Sequence, residues 1–271
     1  MQQAKRALAI VAFTLVSCSS PVIPANTPAL PVTTLRLYTT TAAIPLLQDL
    51  TSSYALTHPN ITFETLAGNY QSMIERVMRL EMPYFLTNHL PVDSPLLGYP
   101  VGQDGIAIIV HPDNPVRALS SEQVRQIFDG TLTNWREVGG AEMAIEVVSR
   151  ENGSGTRAEF ENQLLGERRV TLNARVAPTS AAVVATVAAL PTAIGYVSIS
   201  YVDERVQALA LDNIAPTQEN VGNNTYPLRS IIYIVGVQEP VTDFRAFIAW
   251  IQSPQGQAVV TRRYAPLLPT P

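Results

Sequence analysis

Cysteine is nearly absent: Cys18 is the only one in 271 residues. No intramolecular disulfide can form, and a cysteine-rich metal site is excluded. Histidine is also scarce, with three residues, His58, His89 and His111. His58 and His111 each precede a proline and read as loop residues, while His89, next to Asn88, reads as a surface or packing residue, with a place in a cleft as the alternative. No His-x-x-x-His pattern or carboxylate cluster suggests a metal. Lys and Arg number 18 against 22 Asp and Glu, so no basic field marks a nucleic-acid surface. Long apolar runs are missing too, and no segment has the ~20 uninterrupted apolar residues of a spanning helix. A serine-hydrolase elbow is lacking, because in Gly153-Ser154-Gly155 the glycines adjoin the serine instead of flanking it at a distance. The expectation is a protein that is not an enzyme, with no catalytic residues, no metal and no cofactor.

What is present begins at the N-terminus. Lys5 and Arg6 precede an apolar run from Ala7 to Val16, the size of a signal-peptide core and too short to cross a bilayer. The run ends at Leu15-Val16-Ser17-Cys18, which resembles a bacterial lipobox, in which the thiol is acylated and the chain is cut before the cysteine. An ordinary secretory signal with a chance cysteine is the alternative. The expectation is a lipoprotein signal peptide over residues 1–17, with Cys18 as the lipidation site and the membrane reached only through that anchor. Residues 18–33 then form a flexible tether rich in Ser, Pro, Thr and Ala. Cleavage removes Lys5 and Arg6 and takes the formal net charge from −4 to −6. A mildly acidic surface does not argue against an anionic ligand, since a closed site is governed by its local donors.

From residue 34 onward, short strand patterns alternate with amphipathic helical ones. Strands are expected at Thr34–Tyr38, Ile61–Leu66, Tyr84–Leu86, Ile106–Val110, Ile145–Ser149, around Val176, at Ile194–Val197 and at Ser230–Val237. Helices are expected from Ile44, around Ile74–Met78, from Ser120 with Gln123 at capping-box spacing, from about Thr156, over Ala181–Leu190 and over Val241–Gln252. Ile106–Val110 is a continuous apolar run of the kind buried on both faces of a parallel sheet. The alternation predicts an α/β fold with parallel sheets. Trp135 and Trp250 read as core.

The sharpest local feature is Arg150-Glu151-Asn152-Gly153-Ser154-Gly155-Thr156, between a strand and a helix. Glycines let an anion approach the main chain, and free N–H groups at a helix start favour negative charge there. Ser154 and Thr156 add hydroxyls, and Arg150 adds an always-charged fork. A plain capping box of Thr156 with Glu159 is the other reading, and the two are compatible. Thr39-Thr40-Thr41 sits at a second strand-to-helix junction, as an anion site or as ordinary caps. Gly68-Asn69-Tyr70-Gln71-Ser72 is a third such start, with a glycine that can be simply a turn.

These motifs, with Leu119-Ser120-Ser121-Glu122-Gln123-Val124, Ile127-Phe128-Asp129-Gly130, Asn134-Trp135, Ala193-Ile194-Gly195-Tyr196-Val197 and Tyr226-Pro227-Leu228-Arg229, resemble in order and spacing the phosphate-binding proteins of ABC importers. That family lies in the periplasmic-binding-protein superfamily. The resemblance implies a two-lobed α/β fold of type II with the ligand cleft between lobes. Lobe one would take residues 34–112 plus 196–271, and lobe two 113–195. Arg150, Ser154, Gly155 and Thr156 match the second-lobe anion ligands. Thr40 and Thr41 fall at the family's Gly-Ser-Thr loop, and Asn69 and Ser72 fall near its first-lobe Gly-Ser loop. Asn88 stands where the family carries an aspartate that accepts the proton of hydrogen phosphate. An amide both accepts and donates, so a protonated and a fully ionised oxyanion should be separated less sharply. The implied ligand is phosphate or a related oxyanion (arsenate, sulfate, molybdate and tungstate stay open), delivered by a monomer to an ABC transporter permease. A signalling or adhesion module on the same scaffold is the alternative.

Overall fold

The computed structural model describes residues 31–267. The signal peptide at 1–17, Cys18 and the tether up to residue 30 lie outside the described residues. Among those described, no helix is long and apolar enough to cross a membrane.

The chain opens with strand β1 (Thr33–Thr40), a 3-10 turn at Thr41–Ala43 and helix α1 (Ile44–Thr57). Pro45 lies in the first turn of α1, where its missing N–H removes no helical bond. β2 (Ile61–Glu64), β3 (Ala67–Gly68), α2 (Tyr70–Met78) and β4 (Tyr84–Thr87) follow. Next come β5 (Leu97–Val110), β6 (Ala118–Leu119) and α3 (Ser121–Asp129). The predicted capping box is present on α3, where Gln123 N–H donates to Ser120 Oγ at 3.1 Å and Ser120 N–H to Gln123 Oε1 at 2.8 Å. β7 (Glu146–Arg150) leads to α4 (Gly155–Phe160), which runs on into a π-helical turn at Glu161–Leu165. β8 (Arg175–Ala177), α5 (Ser180–Ala189), β9 (Ala193–Ser198), β10 (Gln207–Ala208), β11 (Ala210–Leu211) and α6 (Gln218–Gly222) come next. β12 (Arg229–Gly236), α7 (Thr242–Gln252) and α8 (Pro254–Val260) close the described chain.

The main sheet has the order β2-β1-β4-β12-β5-β9-β7-β8. β2, β1 and β4 are mutually parallel, as are β9, β7 and β8. Between these sets, β12 runs antiparallel to β4 and to β5, and β5 runs antiparallel to β9. The apolar run Ile106–Val110 is therefore buried on both faces but is not in a parallel ladder. Its burial reflects helices packed with it, such as α5 through Val183, Val184 and Val187 and α6 through Val221, and not its direction. β5 is also far longer than the run that announces it. Pro100, Gly98 and Gly102 hide its first half in the sequence, and a register shift at Ile232/Tyr233 of β12 accommodates them in the manner of a bulge.

This topology fixes where strands end. β5 pairs with β12 through Gly105 and with β9 from Ile106 onward, so one strand passes from one parallel set to the other. β1 and β4 run in the same sense as β5, while β9 and β7 run against it. The carboxyl ends of both sets therefore meet at the middle of β5, and ligands of open α/β sheets bind at such ends.

The apolar core divides at the same place. One cluster holds Leu37, Leu50, Leu86, Val101, Ile232 and Phe247, with Trp250 packed against it, and a smaller one holds Tyr38, Met73 and Phe85. Another holds Ile106–Val110, Phe128, Trp135, Phe160, Val184 and Tyr196. Leu209, Val221 and Leu228, beyond β9 in sequence, also pack in this last cluster.

Candidate functional site

Thr40, Thr87 and Arg150 are the last residues of β1, β4 and β7, and all are buried. Arg150 is 2% exposed. Its Nε and Nη2 donate to the Glu151 carboxylate at 2.9 and 3.0 Å. Nη1 donates to Ser180 Oγ at 3.2 Å, and Nη2 also donates to Thr41 Oγ1 at 2.9 Å. The bidentate edge of the guanidinium thus faces a carboxylate of the protein itself, and one of its five N–H groups is left over. The backbone at Arg150 is held from behind. Tyr196 Oη accepts from Arg150 N–H at 3.2 Å and shares a hydrogen bond with Ser149 Oγ at 2.9 Å. The Tyr196 ring stacks on Phe160 with centroids 4.1 Å apart, and burial pushes its pKa up to about 12.

The loop after β7 turns at Gly153, whose φ of +85° suits glycine and strains other residues. Ser154, not Thr156, caps α4, its Oγ accepting from Arg157 N–H at 3.3 Å. The Thr156–Glu159 capping box does not form. Glu159 instead meets His89 Nδ1 at 2.7 Å. The N–H groups of Gly155 and Thr156, in the first helical turn, have no acceptor within the helix.

Against this loop lie three segments from the other end of β5. Thr41 accepts from Arg150, and Asn88 Nδ2 reaches Thr156 Oγ1 at 3.5 Å, the limit of a hydrogen bond. Gln71 N–H donates to Gly153 O at 3.0 Å. At Gly155 a side-chain carbon would stand 2.9 Å from His89 Cβ, 3.4 Å from Tyr70 Cβ and 3.6 Å from Asn88 Oδ1. Thr40 and Thr41 are not helix caps, since neither the turn at Thr41 nor α1 has a side-chain cap. Asn69 and Ser72 do serve a cap. Asn69 Oδ1 accepts from Ser72 N–H at 2.8 Å, and Ser72 Oγ donates to Asn69 O at 2.9 Å. Their helix start meets the anion loop through the backbone of Gln71.

Three site residues escape a reading of sequence alone: Glu151 as the partner of Arg150, Ser180 at the start of α5, and Asp104. Asp104 is fully buried at the point where β5 changes partners. Its Oδ1 accepts from Ser198 Oγ at 2.8 Å, and its Oδ2 has no hydrogen-bond partner. Burial raises its pKa to about 7, opposed by the Ser198 hydroxyl, the N–H groups of Gly105 and Ile199, and the Asn88 amide. Tyr201 donates to Thr41 O at 2.6 Å. Burial pushes its pKa up to about 12; the Arg150 charge opposes that rise and the Asp104 charge adds to it. Two further buried oxygens, Thr40 Oγ1 and Asn88 Oδ1, have no partner. Unpaired buried polar atoms are rare in folded proteins and require an explanation. Among the described residues, no group of His, Cys, Asp or Glu is placed to hold a metal ion. Backbone N–H groups, hydroxyls, one amide and one guanidinium make a set suited to a small oxyanion.

The profile of the PBP superfamily domain matches residues 86–255. The chain is 31% identical over 175 residues to the phosphate-binding protein PstS of Bacillus subtilis, covering 64% of this chain and 58% of that protein. It is 30% identical over 191 residues to PstS of Pseudomonas aeruginosa, covering 62% and 59%. It thus spans less than two thirds of the length of these relatives. Among solved structures, it is similar to a phosphate ABC transporter substrate-binding protein with bound phosphate from Clostridium perfringens. There the TM-score is 0.82 at 29% identity, covering 86% of this chain and 99% of that one. An ABC-type phosphate transport receptor from Vibrio cholerae gives a TM-score of 0.69 at 26% identity, covering 85% and 98%.

Proposed function

Because the chain belongs to the PBP superfamily, we propose that it is a solute-binding protein that captures phosphate, or a closely related oxyanion, without turning it over. One observation carries this reading. The start of α4 and Arg150 meet Thr40, Thr41 and Asn88 in a buried junction that leaves Thr40 Oγ1 and Asn88 Oδ1 unpartnered. Arg150, Thr40, Thr41, Asn88, Ser154, Gly155 and Thr156 would supply the anion contacts, with Asn69 and Ser72 supporting the loop. Relatives named as phosphate-binding and as parts of phosphate ABC transporters support delivery of the ligand to a membrane permease. In this reading the protein is a monomer whose lobes, 34–112 plus 196–271 and 113–195, close on the anion, with the segment around Leu209–Leu228 riding on the second lobe.

Calorimetry of the purified protein against phosphate, arsenate, sulfate, molybdate and tungstate tests the reading. Phosphate should bind at one site, and at about 100 times its Kd it should stabilise the fold by about 2.7 kcal/mol. That is a rise in Tm of roughly 5–10 °C for a chain of this size. An unchanged Tm with every oxyanion would point to a signalling or adhesion module instead.

The protein would work outside the cytoplasm, tethered through acylated Cys18. Replacing Cys18 by Ser should release it from membranes. Retention of the Cys18→Ser variant after a carbonate wash would exclude the lipid anchor.

A further inference from the structure

His89 and Glu159 stand 70 residues apart in sequence and meet across the anion site. His89 follows β4, on the side that supplies Thr40, Thr41 and Asn88, while Glu159 stands on α4, one turn beyond Gly155. His89 Nδ1 lies 2.7 Å from Glu159 Oε1. An ionised carboxylate can only accept, so Nδ1 carries the proton and donates. Among the described residues, this is the one ion pair that joins the two sides of the site; Arg150 is matched instead to Glu151 beside it. Both partners are held in place. Thr87 Oγ1 accepts from His89 N–H at 3.1 Å and donates to His89 O at 3.2 Å. The His89 ring meets Tyr70 of α2 edge-on, with centroids 4.6 Å apart. Gln163 Nε2 donates to the second oxygen of Glu159 at 2.6 Å. The titratable groups against His89 are thus Glu159 and Tyr70, and burial raises the pKa of the Tyr70 phenol, which leaves it neutral near pH 7. The pair's side chains are 9% and 18% exposed, so water screens their attraction only in part.

We propose that His89 and Glu159 are a positioning pair, a proton-dependent latch that holds the two sides of the anion site together around a bound anion. This rests on the oxyanion-binding reading above and adds that closure depends on the charge of one histidine. A neutral imidazole keeps the Nδ1–H hydrogen bond, whereas an imidazolium makes a charge-assisted one, about twice as strong. Imidazole is the side chain that ordinarily changes charge between pH 5 and 8. The latch is therefore strongest on the acid side of that window, where the histidine is charged and the carboxylate still ionised, and it weakens as pH rises. Because the pair exists only where the two sides meet, it strengthens binding to the extent that the empty protein stands open.

The test is calorimetry with phosphate at about pH 6 and about pH 8.5, toward the two ends of the histidine range. It uses the unaltered protein, Glu159→Gln, His89→Gln and the two substitutions together, with Tm recorded for each. Phosphate changes its own protonation across this window, so each variant is read as a ratio of Kd to the unaltered protein at the same pH. Near pH 6 each single substitution should weaken binding roughly three- to tenfold. The double variant should be no weaker than either single one, because the two groups act as a unit. Near pH 8.5 the ratio should fall to within about twofold. A ratio that is the same at both pH values overturns the latch and reduces the pair to packing. The latch also falls if the single effects add in the double variant, or if affinity holds near pH 6 while only Tm drops. One substitution on each side lets the comparison rest on whichever variant folds. In all these cases phosphate binding itself stands. Absence of phosphate binding in the unaltered protein would instead overturn the oxyanion reading on which the inference rests.

Discussion

Arg150→Ala should weaken oxyanion binding by about 2–5 kcal/mol, the range for truncating one partner of a buried charge pair, which is roughly thirtyfold or more in Kd. Two losses add. The anion loses its only guanidinium, and Glu151, whose side chain is 19% exposed, is left with its charge unpaired beside an anion site. The same guanidinium ties Thr41 to Ser180, so the variant also loosens the junction between β1 and the start of α5. Arg150→Lys keeps the charge but cannot hold Glu151, Thr41 and Ser180 together, because an ammonium lacks the planar fork. It should fall between the native protein and Arg150→Ala. Calorimetry decides: an affinity for Arg150→Ala within twofold of native would remove Arg150 from the site.

Gly155→Val acts by shape alone. A bare Cβ at this position already meets His89 Cβ at 2.9 Å, closer than real side chains pack, and valine adds two methyl groups. The N–H that would face the anion is kept. Overpacking of this kind costs about 1–3 kcal/mol, and here the strain falls on the contact between the anion loop and the Asn88-His89 turn. If the lobes move, the protein relieves the clash by opening. Affinity should then drop roughly ten- to a hundredfold, because only the closed fraction binds, while Tm changes little and small-angle scattering shows a larger radius of gyration. A large fall in Tm with an unchanged radius would mean that the contact is fixed and that the clefted, hinged reading is wrong.

Much of this architecture is legible in the residues, and the gaps have physical causes. Regular amphipathic stripes such as Val124, Ile127 and Phe128 on α3, or Phe244, Phe247, Ile248 and Ile251 on α7, are buried as the periodicity predicts. The loop Arg150–Thr156 is legible because its glycines, hydroxyls and arginine are adjacent in sequence. β5 is half hidden because Gly98, Pro100 and Gly102 look like turn residues, and only the shifted pairing with β12 makes them tolerable. Its antiparallel setting is hidden because burial on both faces says nothing about direction. Asp104 is missed for a related reason. A lone carboxylate beside an apolar run reads as a solvated residue at a strand end, and its enclosure depends on Ser198, 94 residues away. Glu151 and Ser180 are ordinary residues until the fold brings Arg150 to them.

The Arg150–Glu151 pair also bears on how a ligand arrives. A guanidinium already matched by a carboxylate 2.9 Å away behaves from a distance as a dipole, and a dipole's field fades well before a lone charge's would. The rest of the chain carries a net negative formal charge, so nothing in the described surroundings draws an anion in from afar. Encounter then proceeds at the pace of free diffusion and is almost indifferent to ionic strength, since there is little long-range attraction for salt to screen. Discrimination is deferred to the last few ångströms, where the anion sheds its water and the backbone donors take hold. Capture by such a site is set by residence time: a ligand is not summoned, it is kept.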